Sequence, residues 1–215
     1  MPNWCECRLK VTGPAEEIAR FKKTAPGKGP NPAVGMETQP LSLHSFVPQP
    51  AELNQEGSDW YTWRIANWGT KWDVDSQIAQ EGAEFIEYSF DSAWSPPLEW
   101  LTEVGPQFPA LSFRLWYAEG GCDFAGVYTV EGDNANNEEK DYVEAQLEEY
   151  GSYEVSCEHC DNGVEIEAKD AVRICDDCLQ FRCAHCRNHE NAHLEEGKCP
   201  FDATTFKNIS AEKTE

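Results

Sequence analysis

Seven of the chain's ten cysteines fall between Cys157 and Cys199. They form three Cys-x2-Cys pairs, Cys157/Cys160, Cys175/Cys178 and Cys183/Cys186, followed by His189, His193 and Cys199. A Cys-x2-Cys turn aims two thiolates at one point from the same side, which suits tetrahedral Zn²⁺. Two such sites need eight ligands. The six paired cysteines with His193 and Cys199 supply them, and His189 competes for the imidazole position. Closed sites of this kind are structural, because no coordination position is left for water. Two wirings are open. In the sequential one, Cys157, Cys160, Cys175 and Cys178 share one zinc. In the cross-braced one, Cys157 and Cys160 join Cys183 and Cys186, while Cys175 and Cys178 join His193 and Cys199. Cys178 and Cys183 are close in sequence, so the second and third pairs would crowd a single loop. Alternating them between metals relieves that crowding, and the cross-brace is the favoured expectation.

The elements that must hold these ligands are short. Val164–Glu167 and Ala171–Ile174 read as two strands around a turn that delivers Cys175 beside the first pair. Upstream, residues 132–137 read as a turn and Glu138 to Tyr150 as a helix with Tyr142, Val143 and Leu147 on one stripe. That helix lies in a strongly acidic run and serves as a linker. The expected organisation is a folded domain over 1–132, an acidic linker helix over 133–153, a zinc-binding module over 154–207 and a tail over 208–215.

The N-terminal half has its own pattern. Trp4, Glu6, Arg8 and Lys10 alternate with Cys5, Cys7, Leu9 and Val11, the period of a half-buried strand. Cys5 and Cys7 are small core residues on one face, not a zinc turn. Pro14 opens a helix with Ile18 and Phe21 inside, Glu16 and Glu17 first and Lys22 and Lys23 last, as its dipole prefers. Residues 25–42, rich in Pro and Gly, read as a long surface loop. Trp60, Trp63, Trp68 and Trp72 crowd the next stretch, with Gly69 for a sharp turn. They are either a core anchor or a platform that stacks a ligand ring or a peptide. Strands follow at Ala83–Phe90, Leu111–Ala118 and Cys122–Val130. Between the first two lies a short helix with Leu98, Leu101 and Val104 inside. The expected core is Trp68, Trp72, Phe85, Trp94, Leu101, Phe113 and Leu115.

The order is strand, helix, loop with an irregular strand, strand, helix, strand, strand. This makes an α+β fold: a split βαβ sandwich with an antiparallel sheet, helices on one face, and a small C-terminal zinc-binding domain. Met1-Pro2-Asn3-Trp4-Cys5, Asn67-Trp68-Gly69-Thr70-Lys71-Trp72-Asp73, Ala93-Trp94-Ser95-Pro96-Pro97 and the Tyr117-x-Glu119 region resemble the Api-like, YubB-type ferredoxin-like domain. Proteins of bacteriophages and conjugative plasmids carry that domain. The resemblance covers about residues 1–130. It implies a ferredoxin-like topology and a mobile-element origin but no activity. "Ferredoxin-like" is topology only, since this half has no iron–sulfur cysteine pattern. The C-terminal cysteine spacing is loosely similar to cross-braced ZZ-type fingers.

The net charge is −22, of which residues 1–130 carry −8 and residues 131–215 carry −14. Such a field repels phosphates, so nucleic acid is disfavoured as a partner and a protein with a basic surface is favoured. Met1-Pro2-Asn3-Trp4 lacks the regions of a signal peptide, and no apolar run is long enough to span a membrane. The expectation is the cytoplasm of a bacterial host, where reduced thiols favour zinc over disulfides. An enzyme needs a nucleophile, a base or an open metal site. His44 lies in a loop, the other histidines lie in the zinc segment, and Asp73, Asp75, Asp91 and Asp123 have the character of turn and strand-end residues. The chain therefore reads as a non-enzymatic, protein-binding or regulatory accessory protein of a phage or mobile element. The alternative is an acidic nucleic-acid mimic that inhibits a host defence enzyme.

Overall fold

A computed structural model of the chain describes residues 3–30, 38–54, 57–140, 142–156, 163–167, 173–175 and 206–208. The chain divides into two compact units, Met1–Tyr142 and Val143–Glu215.

In the first unit the period-2 stretch forms β1 (Trp4–Thr12), with Cys5, Cys7, Leu9 and Val11 all fully buried. Helix α1 (Ala15–Thr24) follows directly and buries Ile18 and Phe21. The long connection then holds two helices that the sequence reading did not foresee, α2 (Leu43–Phe46) and α3 (Trp60–Trp68). Gly69 ends α3 in the left-handed region at φ 78°, where glycine carries no Cβ penalty. The irregular strand is β2 (Asp75–Glu81), whose pairing shifts register between Ile78 and Gln80. β3 (Phe85–Ala93), α4 (Leu98–Val104), β4 (Ser112–Glu119) and β5 (Phe124–Glu131) agree in type with expectation.

The sheet order is β2-β3-β1-β4-β5-β6, antiparallel throughout. Its first four strands have the split βαβ order, with β3 inserted between β1 and β2. The sixth strand corrects the reading of residues 132–140. Asn134–Lys140 is β6, paired with β5 from Ala125 to Glu131, and not a turn leading into a helix. Helix α5 occupies only Tyr142–Tyr150. The first unit therefore extends past residue 132, and the helix expected from position 133 starts later, at Tyr142.

One face of the sheet carries the core. Phe21 is its centre, with ring centroids of Phe46, Phe108, Phe113 and Tyr88 within 4.9, 5.3, 5.8 and 6.3 Å. Trp68, Trp100, Leu101 and Val104 from α3 and α4 close over the same cluster. Four expected core residues, Trp68, Leu101, Phe113 and Leu115, are buried. Trp72 and Phe85 are half-buried, and Trp94 is 48% exposed. Phe85 falls on the other face because the β3 alternation puts Ile86, Tyr88 and Phe90 inward.

In the second unit β7 (Ser152–Ser156) pairs with β8 (Gly163–Glu167), and β9 (Arg173–Cys175) pairs with β10 (Phe206–Asn208). The two strands expected around a turn both exist, as β8 and β9, but each pairs with a different partner.

Candidate functional site

The four stretches that carry the family resemblance meet at one end of the sheet, where β1 begins and β3 and β4 end. The Trp94 backbone N–H donates to the Asn3 carbonyl at 3.0 Å. Thr70 Oγ1 donates to the Ala93 carbonyl at 2.9 Å and accepts from the Ala93 N–H at 3.1 Å, standing in for a missing strand partner. The Ser95 hydroxyl donates to the Gly69 carbonyl, and Ser92 Oγ donates to the Ser95 carbonyl at 2.9 Å. Glu119 clasps the β4–β5 turn by accepting from the N–H groups of Gly121 and Cys122 at 2.7 and 2.6 Å. Desolvation works to raise the Glu119 pKa. The hydrogen bonds from Gly121, Cys122 and Asn3 outweigh it and hold the carboxyl below its usual range.

This frame presents aromatic rings to solvent. Trp4 and Trp94 are each 48% exposed. Trp72 packs against Trp4 with ring centroids 5.8 Å apart. Lys71 places its ammonium 4.7 Å from the Trp72 ring centre and 6.0 Å from that of Tyr61, itself exposed. Trp94 sits at φ 75°, a left-handed backbone that costs a bulky L-residue about 1–3 kcal/mol. The fold thus holds an indole in solvent against its backbone preference.

Behind the rings lies a buried polar anchor. The Arg64 guanidinium stacks 4.6 Å from the Trp60 ring and 5.3 Å from that of Trp68. It donates through Nε to Gln49 Oε1 at 2.5 Å and through Nη1 to the Lys71 carbonyl at 3.3 Å. Asp73 accepts from the Ser42 hydroxyl (2.6 Å) and from the N–H groups of Leu43 (2.6 Å), Val74 (2.9 Å) and His44 (3.3 Å). Burial raises its pKa despite those four bonds. Asp73→Ala should lower stability by about 3 kcal/mol, since two buried N–H groups, a part-buried one and a buried hydroxyl lose their acceptor together. Asp73→Asn, which keeps one acceptor oxygen, should lose clearly less. Urea unfolding of both variants checks this, and equal losses would show that packing rather than hydrogen bonding holds the corner.

The four aspartates considered from sequence separate. Asp73 is in the anchor and Asp123 in the β4–β5 turn at φ 55°. Asp75 and Asp91 stand directly opposite one another on β2 and β3, and Glu6 of β1 faces Asp91 from the other side. Burial first, then the charges of Glu6 and Asp75, raises the Asp91 pKa. A carbon-detected titration should therefore place Asp91 above an ordinary aspartate, and Glu6→Gln should move it down. Because the folded form holds the proton more tightly, this group stabilises the fold as pH falls through that raised range, and the gain is lost as pH rises.

His44 is in α2 rather than a loop. Its Nδ1 accepts from the Gln49 N–H at 3.0 Å, its ring meets Trp68 edge-on, and burial lowers its pKa. Among the described residues no group of three or more His, Cys, Asp or Glu is arranged to hold a metal. Of the eight expected zinc ligands, Cys157, Cys160, Cys178, Cys183, Cys186, His193 and Cys199 lie outside the described residues, as does His189. Cys175 ends β9 opposite Phe206 of β10. Cys5 and Cys7 are buried in the core, as expected, and Cys122 is exposed.

Residues 67–168 match the family model described as "Ferredoxin-like domain in Api92-like protein". The match takes in three of the four motifs. This stretch is similar to the Api92-like family. The match runs on past β6 into β7 and β8, beyond the limit near residue 130 that the motifs alone indicate. The Escherichia coli (strain K12) "Uncharacterized protein YubB" is 31% identical over 68 residues, which are 31% of this chain and 47% of that protein. The chain thus spans about half the length of the curated relative it matches. A crystal structure of protein api92 from Yersinia pseudotuberculosis aligns with a TM-score of 0.47 at 10% identity, covering 66% of this chain and 98% of that one. No helix among the described residues is long and apolar enough to cross a membrane.

Sequence reasoning separated Trp4 from the core by the β1 alternation. It missed the exposure of Trp94, the stacked Arg64 and the Glu6–Asp91–Asp75 row. Trp94 had a signal in its sequence neighbours, since Ser95-Pro96-Pro97 is a turn and turns reach the surface. The other two arise from contacts between distant segments and had none.

Proposed function

We propose that the chain is a non-enzymatic accessory protein of a phage or other mobile element, and that it works by binding another protein. The observation that carries this is the pair of half-exposed indoles, Trp4 and Trp94, held on a hydrogen-bonded frame at one end of the sheet. Exposed tryptophan presented by a rigid scaffold supplies contact area at little conformational cost, which is how protein-binding hot spots are built. The strain at Trp94 supports the same reading, because packing gains nothing from an exposed ring in a disfavoured backbone region. The resemblance to phage and plasmid proteins supports the mobile-element setting. The cysteine-rich segment from Cys157 to Cys199 serves as a second, zinc-held module, with Cys157, Cys160, Cys175, Cys178, Cys183, Cys186, His193 and Cys199 as ligands. Its partner is a basic protein surface, in keeping with the acidic charge of residues 131–215.

Trp94→Gly tests the surface. It should leave stability unchanged or raise it by up to about 1 kcal/mol, since glycine tolerates the left-handed backbone. The full-length variant, and Trp4→Ala beside it, should nevertheless lose the proteins that the wild type retains from host lysate, scored by quantitative mass spectrometry. Retention of the same proteins at the same level by both variants would remove the indole surface from the function.

A further inference from the structure

We propose that His44 is an acid-released latch on the segment 47–54: a proton on its Nδ1 breaks the bond that holds Gln49 and, through Gln49, frees Arg64. The sequence gives that bond its weight. Gln49 lies between Pro48 and Pro50, neither of which has a backbone N–H. The Gln49 N–H is therefore the one backbone donor at positions 48–50, and it donates to His44 Nδ1 at 3.0 Å. An amide N–H only donates, so this geometry requires a lone pair on Nδ1 and puts the proton of the neutral ring on Nε2. A protonated imidazole donates at both nitrogens. Acid would then set two N–H groups head to head, and the N–H of a buried residue would lose its acceptor.

Gln49 joins the segment to α3. Its Oε1 accepts from Arg64 Nε at 2.5 Å, and its Nε2 donates to Asn54 Oδ1 at 2.6 Å. Two residues earlier, the Val47 carbonyl accepts from Trp68 Nε1–H at 2.8 Å. The segment is thus tied to α3 on both sides of Pro48. Releasing Gln49 leaves the buried Arg64 Nε without its acceptor, a polar loss that favours moving the guanidinium. Arg64 also donates to the Lys71 carbonyl at 3.3 Å, so the disturbance reaches the stretch that carries Trp72. The surrounding charges set where the latch opens. Burial opposes a charged His44 ring most, the Asp73 carboxylate attracts it and the Arg64 guanidinium repels it, and the pKa is lowered. The bond to the neutral form pulls in the same direction. Such a histidine supports the fold fully above its unfolded pKa of about 6.5, and the support is lost as pH falls toward the folded pKa.

The test follows the ¹⁵N-labelled full chain by NMR as pH falls from about 7.5 to about 5, the range in which histidine titrates. Local signals are needed, because the histidines of the cysteine-rich segment lie in the same chain. At neutral pH His44 should show an unprotonated Nδ1, and its midpoint should fall below that of an exposed histidine. The Gln49 amide, Arg64 Nε–H and Trp68 Nε1–H signals should move with that same midpoint, and the exchange protection of the Gln49 amide should drop about tenfold. His44→Asn keeps an acceptor oxygen near the Nδ1 position and does not titrate. It should hold the three signals at their neutral-pH positions throughout. A His44 titration that leaves Gln49 and Arg64 unmoved overturns the latch, and so does a protonated Nδ1 at neutral pH. Movement that persists in His44→Asn at the same midpoint assigns the acid response to Asp73 and overturns it as well. Should the Asn variant fail to fold, the shared midpoint in the wild type decides alone.

Discussion

Trp68→Ala should lower the stability of the Met1–Tyr142 unit by about 3–5 kcal/mol, the range for deleting a buried aromatic side chain. Trp68 is fully buried at the end of α3, and its Nε1–H donates to the Val47 carbonyl at 2.8 Å. Trp63 and His44 meet its ring edge-on at 5.7 and 6.4 Å, and Arg64 stacks at 5.3 Å. Truncation therefore opens a cavity, leaves the Val47 carbonyl without its donor, and strips one apolar wall from a buried guanidinium. The last two effects are polar penalties beyond the cavity cost. Trp63→Ala, at a half-buried ring of the same helix, should cost clearly less. Guanidinium chloride unfolding of the two variants gives the comparison. A loss under about 1 kcal/mol at Trp68 would mean that α3 is not the anchor of this corner.

Removing metal should have a larger effect still, confined to the second unit. The apolar residues available between Cys157 and Cys199 are chiefly Val164, Ile166, Val172, Ile174, Leu179 and Phe181. Ordering each residue costs roughly 1.5 kcal/mol, which so small a core cannot offset. Structural zinc contributes on the order of 10–16 kcal/mol in small finger domains. Protein prepared without chelator should hold about two zinc ions per chain, and Cys178→Ser should unfold the module. Hydrogen exchange gives the spatial test. Chelator should abolish protection in β7, β8 and β9 while the amides of β1, β3 and β4 remain protected. Elemental analysis showing one metal would leave the sequential site, with Cys183 to Cys199 uncommitted. No metal, with β7–β9 protected regardless, would end the zinc reading. A chain cut near Tyr142 should unfold cooperatively and be indifferent to chelator, because Cys5 and Cys7 are core residues and no ligand lies among the packed aromatics.

What the sequence by itself determined is where side chains and local geometry agree. β1 was legible because Cys5, Cys7, Leu9 and Val11 fall on one face of a strand with a wet opposite face. α1 was legible because Pro14, the acidic first turn and the basic last turn all favour a helix there. The strand and helix order then allowed little besides the split βαβ sheet. Tertiary structure alone decided the rest. Asn134–Lys140 is polar and exposed at nearly every position, so no alternation marks it. It is a strand because β5 offers an unpaired edge and backbone groups must find partners. Trp60–Trp68 has aromatics too dense to show either period, and its helix follows from burying Arg64 and Trp68 against the loop that carries Gln49 and Val47. Trp94 was expected in the core because an indole prefers burial, yet its bonds to Asn3 and the turn after it hold the ring out. The Glu6–Asp91–Asp75 row depends on strand register, and a slip of one residue would scatter those carboxylates to opposite faces. Composition sets how many acids the chain carries, and pairing between distant strands sets which of them meet.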